Sequence, residues 1–449
     1  MQASNRRTFL KTAAGASVLA APAIAGSSQS ANDRIRVGIV GLRGRGKSHI
    51  AAIHELAGEN VELAAMCDCD ESNLNSALAA YEKRSGKRPL AYTDMRKLLD
   101  DDSIDAVSHA TPNHWHTLGV IWTCQSGKHA YTEKPGTHNV HEGRKLIETA
   151  RKYDRICQHG TQNRSSPNVM EGMAKLHQGV VGELYMARGI DYKLRGNLGT
   201  ITPSEVPEGL DWDRWLGPKP MRPYSSFWHR RWYWNLELSS GCFANQAVHE
   251  LDILRWGLGI DEHPTEVTAV GGKFVHEDDR TSPTHVAITY RFAEPKPMVT
   301  YEHRSWYTNA EAGFRDKYPF VQPGYPVGTI FFGTEGYLIV PDYSSYYTFL
   351  GPKCEPGPSK AESGHPMMDL PHFQNWVAAI RSRNHEDLHA DIEEGHKSMA
   401  FCLLARTSYQ VGRPLSFDPA TEKVVGDDEA DAMLNRPEYR EPYVVPKEV

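Results

Sequence analysis

Over the first third of the chain, hydrophobic positions come in short β-branched runs, each followed by a stretch with helical spacing. Ile35–Val40 is apolar at nearly every position, and Val61–Cys67 repeats the pattern. Residues 104–110 and 128–133 read as further short strands, and 118–125 and 141–153 as helices. Apolar runs without alternation suit strands covered on both faces, so this order predicts a parallel, doubly wound α/β sheet. After about Gly160 the pattern changes. A helix over 166–178 precedes segments where apolar and polar residues alternate: 184–192, 265–274, 284–292, 298–303 and 328–332. Such alternation predicts an antiparallel or mixed sheet with one covered face. Residues 372–383 and 392–411 read as helices, and the Pro-rich, charged tail from Arg413 is expected to wrap the surface. Two domains follow, with the boundary near residue 157.

The loop after the first strand carries the first chemical signal. Gly41-Leu42-Arg43-Gly44-Arg45-Gly46 leads into a helical pattern, and the next strand is closed by Asp68. A strand, a glycine turn, a helix and an acid-terminated strand form a dinucleotide site. Glycines let the backbone approach a pyrophosphate, and the helix N-terminus holds its charge. The spacing departs from G-x-G-x-x-G: Gly41 and Gly46 hold the outer positions, Arg43 stands at the middle one, and Gly44 lies beside it. Arg43 and Arg45 are candidates for charge near the phosphates or for solvated positions. Asp68 can accept from both ribose hydroxyls and would repel a 2′-phosphate, so NAD is expected rather than NADP.

Charge and composition narrow the partners. A net charge of -6 gives no basic footprint for nucleic acid. Residues 1–30 read as an export signal: Asn5-Arg6-Arg7-Thr8-Phe9-Leu10-Lys11 is a twin-arginine signature, an apolar stretch follows to about Ile24, and Ala23-Ile24-Ala25 is a cleavage pattern. The expected location is periplasmic or extracytoplasmic, with no membrane association after cleavage. Export of a folded protein fits an enzyme that captures its cofactor beforehand, holds it tightly and regenerates it within the cycle. The seven widely spaced cysteines form no disulfide framework and read mostly as small buried hydrophobes. Half of the ten tryptophans (Trp212, Trp215, Trp228, Trp232 and Trp234) fall within one short segment. Packing explains most of them, and sugar stacking is the alternative.

Three segments give the family resemblance: Ala110-Thr111-Pro112-Asn113-His114-Trp115-His116, Glu133-Lys134-Pro135, and Asn245-Gln246-Ala247-Val248-His249-Glu250-Leu251-Asp252. The chain resembles the Gfo/Idh/MocA superfamily of glucose–fructose oxidoreductase and inositol dehydrogenase, from Arg34 to its end. The resemblance implies an N-terminal doubly wound Rossmann domain, residues 31–157, and a C-terminal α/β domain, residues 158–449. The latter would carry a large, mostly antiparallel open-faced sheet that closes the substrate site and joins subunits into a homo-oligomer. It implies that Gly41, Leu42, Arg43, Gly44, Arg45, Gly46, Asp68, Thr111, Pro112, Asn113, His116, Glu133, Lys134 and Gln162 bind NAD. Lys134 would also touch substrate, and Asn163, Arg164 and Asp252 would join it there. His249 matches the histidine of a D-x-x-x-H pair that serves as general base. Asn245 takes the place of the acid, and is expected to orient His249. His114-x-His116 lacks a supporting acid or cysteine cluster and is not expected to bind metal.

The chemistry is consistent with these roles. Hydride loss from a sugar carbinol requires removal of the hydroxyl proton, which an imidazole accepts and an ammonium assists by stabilising the alkoxide. The expected function is NAD-dependent oxidation of a sugar, sugar alcohol or glycoside. The alternatives are a glycoside hydrolase that oxidises its substrate transiently and a non-catalytic binding protein.

Overall fold

The computed structural model describes residues 33–293, 296–306, 327–361 and 369–449. The expected export signal lies outside these residues. Six strands form the N-terminal sheet: β1 Ile35–Val40, β2 Val61–Cys67, β3 Leu90–Tyr92, β4 Ala106–His109, β5 His129–Thr132 and β6 Cys157–His159. Every neighbouring pair is parallel, in the order β3-β2-β1-β4-β5-β6. The order reverses between β1 and β4, and the crevice at that switch point is where such sheets bind ligands. Helices on both faces are closed by their own sequence. Asp70 accepts from the Ser72 N–H at 3.0 Å to cap Glu71–Ser85, and Asn139 accepts from Glu142 N–H at 2.8 Å to cap Val140–Lys152.

The expected division at residue 157 falls inside β6, and the chain later returns to this sheet. The helix Asp369–Ser382 stacks Phe373 on Tyr131 with ring centroids 4.4 Å apart. Tyr443 and Val445 share a core with Trp115 and Leu118. Chain order and packing order thus differ at the C-terminus.

Ten strands form the second sheet: β7 Leu184–Asp191, β8 Glu266–Gly272, β9 His285–Arg291, β10 Met298–Arg304, β11 Val327–Gly333, β12 Gly336–Val340, β13 Tyr346–Leu350, β14 Glu355–Lys360, β15 Leu415–Asp418 and β16 Lys423–Val424. Their order is β14-β13-β12-β11-β7-β10-β9-β8-β15-β16, antiparallel throughout except for β7 beside β10. Helices Ala247–Leu258 and Ile392–Val411 cover one face. Leu251, Leu254, Phe401 and Leu404 share its core with Ile288, Val299, Tyr301 and Phe331. Burying each such side chain contributes about 1.5–3 kcal/mol. The tail does more than wrap the surface: β15 and β16 extend the sheet, and Asp428–Asn435 is helical. Among the described residues, no helix is long and apolar enough to cross a membrane.

Candidate active site

The glycine loop separates two jobs. A Cβ on Gly41 would lie 2.6 Å from the Ala110 carbonyl oxygen, and one on Gly46 would lie 2.0 Å from the Gly41 carbonyl oxygen. Both positions therefore serve close packing. Gly44 has φ +42 and only open space where a side chain would be. It precedes the helix Arg45–Glu55, whose N-terminus has no side-chain cap. An anion fits there, against the positive helix end.

This loop opens into a cavity of about 450 Å³ at the strand switch point. Gly41, Leu42, Arg43, Gly44, Arg45, Asp68, Thr111, Pro112, His116, Glu133, Lys134 and Asn245 all line it. Gly46, Asn113, Gln162, Asn163, Arg164, His249 and Asp252 are not among its lining residues. Asp68 sits against the glycine loop, its Oδ2 accepting from Leu42 N–H at 2.9 Å and its Oδ1 from Asp70 N–H at 3.0 Å. Burial raises its pKa, and those two N–H groups oppose the rise. The hydroxyl of Thr111, both amide atoms of Asn113, Oε1 of Gln162 and both amide atoms of Asn163 are buried without partners. Of these, Thr111 lines the cavity, and its unpaired hydroxyl there fits a polar cofactor.

Arg45 lines the cavity with its charge paired rather than solvated. Its Nε and one terminal nitrogen donate to Glu133 Oε1 at 3.0 and 2.9 Å, and it also pairs with Asp369. Burial would raise the Glu133 pKa, but Arg45 and the His49 hydrogen bond at 3.1 Å hold it well below the usual carboxylate range. Arg43 remains exposed at the rim.

Lys134 follows β5 and leaves the sheet edge. Its Nζ donates to the Asn245 carbonyl oxygen at 2.5 Å. Burial brings its pKa down to about 8, against the opposing pull of Glu133. His249 lies on the helix Ala247–Leu258 and is 3% exposed. Burial first, then Lys134, keep its pKa well below the ordinary value, so it is neutral at pH 7. Its Nδ1 has no partner. Asn245 therefore does not hold His249 as expected. It precedes the helix, so the four-residue spacing does not stack its side chain on the imidazole, and it acts on Lys134 through its backbone.

Arg164 and Asp252, expected to meet substrate, instead pair with each other at 2.8 Å. Arg164 also reaches Glu394, and Asp252 accepts from the Ser398 hydroxyl at 2.7 Å. Both are buried tethers between the start of the second domain and its covering helices. His114 faces the Leu238 and Trp215 carbonyls, and His116 those of Pro135 and Thr111.

The aromatic segment divides. Trp212 stacks on Trp215 at 4.7 Å, and Trp234 is 3% exposed, so packing accounts for these. Trp215 and Trp232, for which sugar stacking is the alternative reading, also line the cavity, together with Arg230 and Tyr233, which the sequence does not single out. Hydrogen bonds from Asp211 N–H to the Cys69 carbonyl at 3.0 Å and from the Trp115 indole to the Arg214 carbonyl at 2.9 Å staple this segment over the N-terminal sheet.

Three matches accompany this geometry. Residues 35–161 match the NAD-binding Rossmann-fold model of the Gfo/Idh/MocA oxidoreductase family. Residues 211–339 match the GFO/IDH/MocA C-terminal domain, and residues 361–445 the family's C-terminal alpha/beta domain. The chain belongs to the Gfo/Idh/MocA family by all three of its domain matches. Its N-terminal domain is accordingly an NAD-binding one. Among curated relatives, a "Glycosyl hydrolase family 109 protein" of Shewanella sp. (strain W3-18-1) is 35% identical over 156 residues, 34% of this chain and 34% of that protein. The corresponding protein of Shewanella baltica (strain OS155) gives the same identity over the same length. The chain thus spans about a third of the length of the curated relatives it matches. The fold is similar to that of WlbA dehydrogenase from Bordetella pertussis, solved with NADH and UDP-GlcNAcA. The TM-score is 0.62 at 21% identity, covering 86% of this chain and 99% of that one. Levoglucosan dehydrogenase, solved with NADH and levoglucosan, gives 0.62 at 17% identity, covering 88% and 100%.

Proposed function

We propose that this Gfo/Idh/MocA protein moves hydride between a sugar carbinol and NAD held at the glycine loop. The observation that carries the reading is the Lys134–Asn245 hydrogen bond, which joins the end of β5 to the segment leading into the His249 helix. NAD bound there would supply a hydride acceptor at the cleft between the two sheets. The chain's own residues handle the proton. Neutral His249 accepts it from the substrate hydroxyl, and the Lys134 ammonium stabilises the oxygen that loses it. Gln162 Oε1 and both amide atoms of Asn163 are buried without partners just after β6, and the proposal gives them to the substrate. Gly44 and the helix it precedes take the pyrophosphate, and Asp68 takes the adenosine ribose.

A second reading is redox-neutral: the sugar is oxidised, loses its aglycone by elimination, gains water and is reduced again. The family 109 glycosyl hydrolases among the relatives favour it. So does a cofactor that need never leave, as export through the residues 1–30 signal would require. The same reading assigns self-association to the exposed face of the second sheet, where Val270 is 63% and Met298 53% exposed.

Purification without added cofactor, followed by a panel of sugars and glycosides, tests the proposal. The expected result is co-purified NAD(H) and reduced nicotinamide on adding the right sugar. Net accumulation of ketone marks oxidation. Aglycone release with solvent deuterium at the neighbouring carbon marks the redox-neutral route. Protein that carries no dinucleotide and binds none contradicts both.

A further inference from the structure

We infer that Tyr343 is a further catalytic residue, donating a proton to the oxygen that leaves the substrate; this rests on the redox-neutral reading above. Tyr343 lies in the turn between β12 and β13, on the second sheet's side of the cleft. Its ring centroid is 5.1 Å from that of His249, with the planes tilted by 48°. Tyr343 as a residue is partly exposed, where His249 is buried.

One amide decides what this phenol can do. Lys193 can only donate, and its Nζ donates to Gln246 Oε1. That fixes the Gln246 Nε2 group as a double donor, to Glu250 Oε1 at 2.7 Å and to the Tyr343 phenol oxygen at 2.7 Å. The phenol oxygen is therefore an acceptor in this bond, and its own proton is uncommitted. Glu250 does not take it, because its Oε2 is buried without any hydrogen-bond partner.

Oxidation alone needs one group to take the hydroxyl proton, and His249 suffices. A second proton donor one ring away has no part in that step, but elimination of a basic alkoxide calls for one. The span between the two rings matches two oxygens carried on one sugar ring. Once the carbinol is a ketone, the neighbouring C–H is acidic. His249, having passed the hydroxyl proton to water, takes this second proton. The freed electron pair forms a carbon–carbon double bond and the bond to the aglycone oxygen breaks. That oxygen leaves as an alcohol with the Tyr343 proton. Water then adds its hydroxyl to the vacated carbon and its proton to the Tyr343 phenolate, while His249 returns its proton to the neighbouring carbon. The carbonyl carbon then regains the hydride it gave to the dinucleotide, and its oxygen regains through His249 the proton first passed to water. The sum is one glycoside and one water giving a free sugar and an alcohol, with no net oxidation.

The test is Tyr343→Phe in protein carrying its NAD. The probes are methyl and 4-nitrophenyl glycosides of the same hexoses and N-acetylhexosamines, in both anomers. A 4-nitrophenolate leaves without a proton, and a methoxide does not. The expected result is a loss of about 10²-fold or more on methyl glycosides and a much smaller one on 4-nitrophenyl glycosides, with melting temperature and bound NAD unchanged. Equal losses on both, or wild-type cleavage of methyl glycosides, overturn the assignment. Wild-type protein that forms reduced nicotinamide yet cleaves no glycoside overturns it too, and leaves the oxidoreductase reading standing. Wild-type protein that neither holds NAD nor forms reduced nicotinamide removes that reading, and the Tyr343 role with it.

Discussion

Lys134 Nζ donates to the backbone carbonyl of Asn245 at 2.5 Å, linking the end of β5 to the segment that enters the His249 helix. A side chain from the loop after β5 is thereby held by a carbonyl more than a hundred residues further along the chain. Replacing Lys134 by Ala removes both the link and the ammonium. The expected outcome is a loss of turnover of about 10²-fold or more with weaker sugar binding, checked by comparing kcat and KM with wild type.

The same lysine sets a pH limit. Its pKa is brought down to about 8 by burial, so the ammonium is present below that pH and lost above it. We predict that kcat/KM falls as pH rises through about 8. Lys134→Arg keeps its proton over the whole range, so its pH–rate profile should lack this limb, at a lower plateau.

Asp68 is predicted to set cofactor choice. It lies against the Leu42 N–H at 2.9 Å, where the ribose edge of a bound dinucleotide would meet it. Asp68→Ala should weaken NAD by about tenfold, the size of one charge-assisted hydrogen bond, and should improve NADP by removing a like charge. Titration of both cofactors by protein fluorescence checks it.

Glu422 concerns stability rather than chemistry. It is buried and bonds His396 at 2.7 Å, His263 at 3.0 Å and Arg144 at 3.1 Å. Burial would raise its pKa, but these three partners hold it well below the usual range. A depressed carboxylate stabilises the fold above its unfolded pKa, and that contribution is lost as pH falls through the folded one. Glu422→Gln should cost about 2–3 kcal/mol in urea unfolding, less than the ~3–5 of a fully buried pair because Arg144 is 45% exposed. Bound NAD should not change.

Much of the fold is legible in the sequence because periodicity reports burial. Ile35–Val40 and Val61–Cys67 are covered on both faces and read as apolar runs broken only at Arg36 and Glu62, while β9 alternates residue by residue. The helix carrying His249 gives no such signal. It is buried at nearly every position, so no polar stripe marks its face. The return of Tyr443 to Trp115, and of Asp369 to Arg45, joins residues hundreds of positions apart and leaves no local trace. In the site, the glycine loop and Asp68 were readable because backbone approach demands particular residues. Arg164 and Asp252 were misread because a charge near a cleft looks the same in sequence whether it meets substrate or another charge. Tyr343 could not be found in sequence, since its uncommitted proton depends on how Lys193 orients Gln246.

The most direct measurement is a single-turnover experiment on protein purified with its own dinucleotide, comparing wild type with His249→Ala. The account predicts that an accepted sugar reduces the bound cofactor in the wild type, and that His249→Ala carries the same amount of cofactor but reduces it about 10²–10⁴-fold more slowly. Reduction by His249→Ala at the wild-type rate across pH would contradict it.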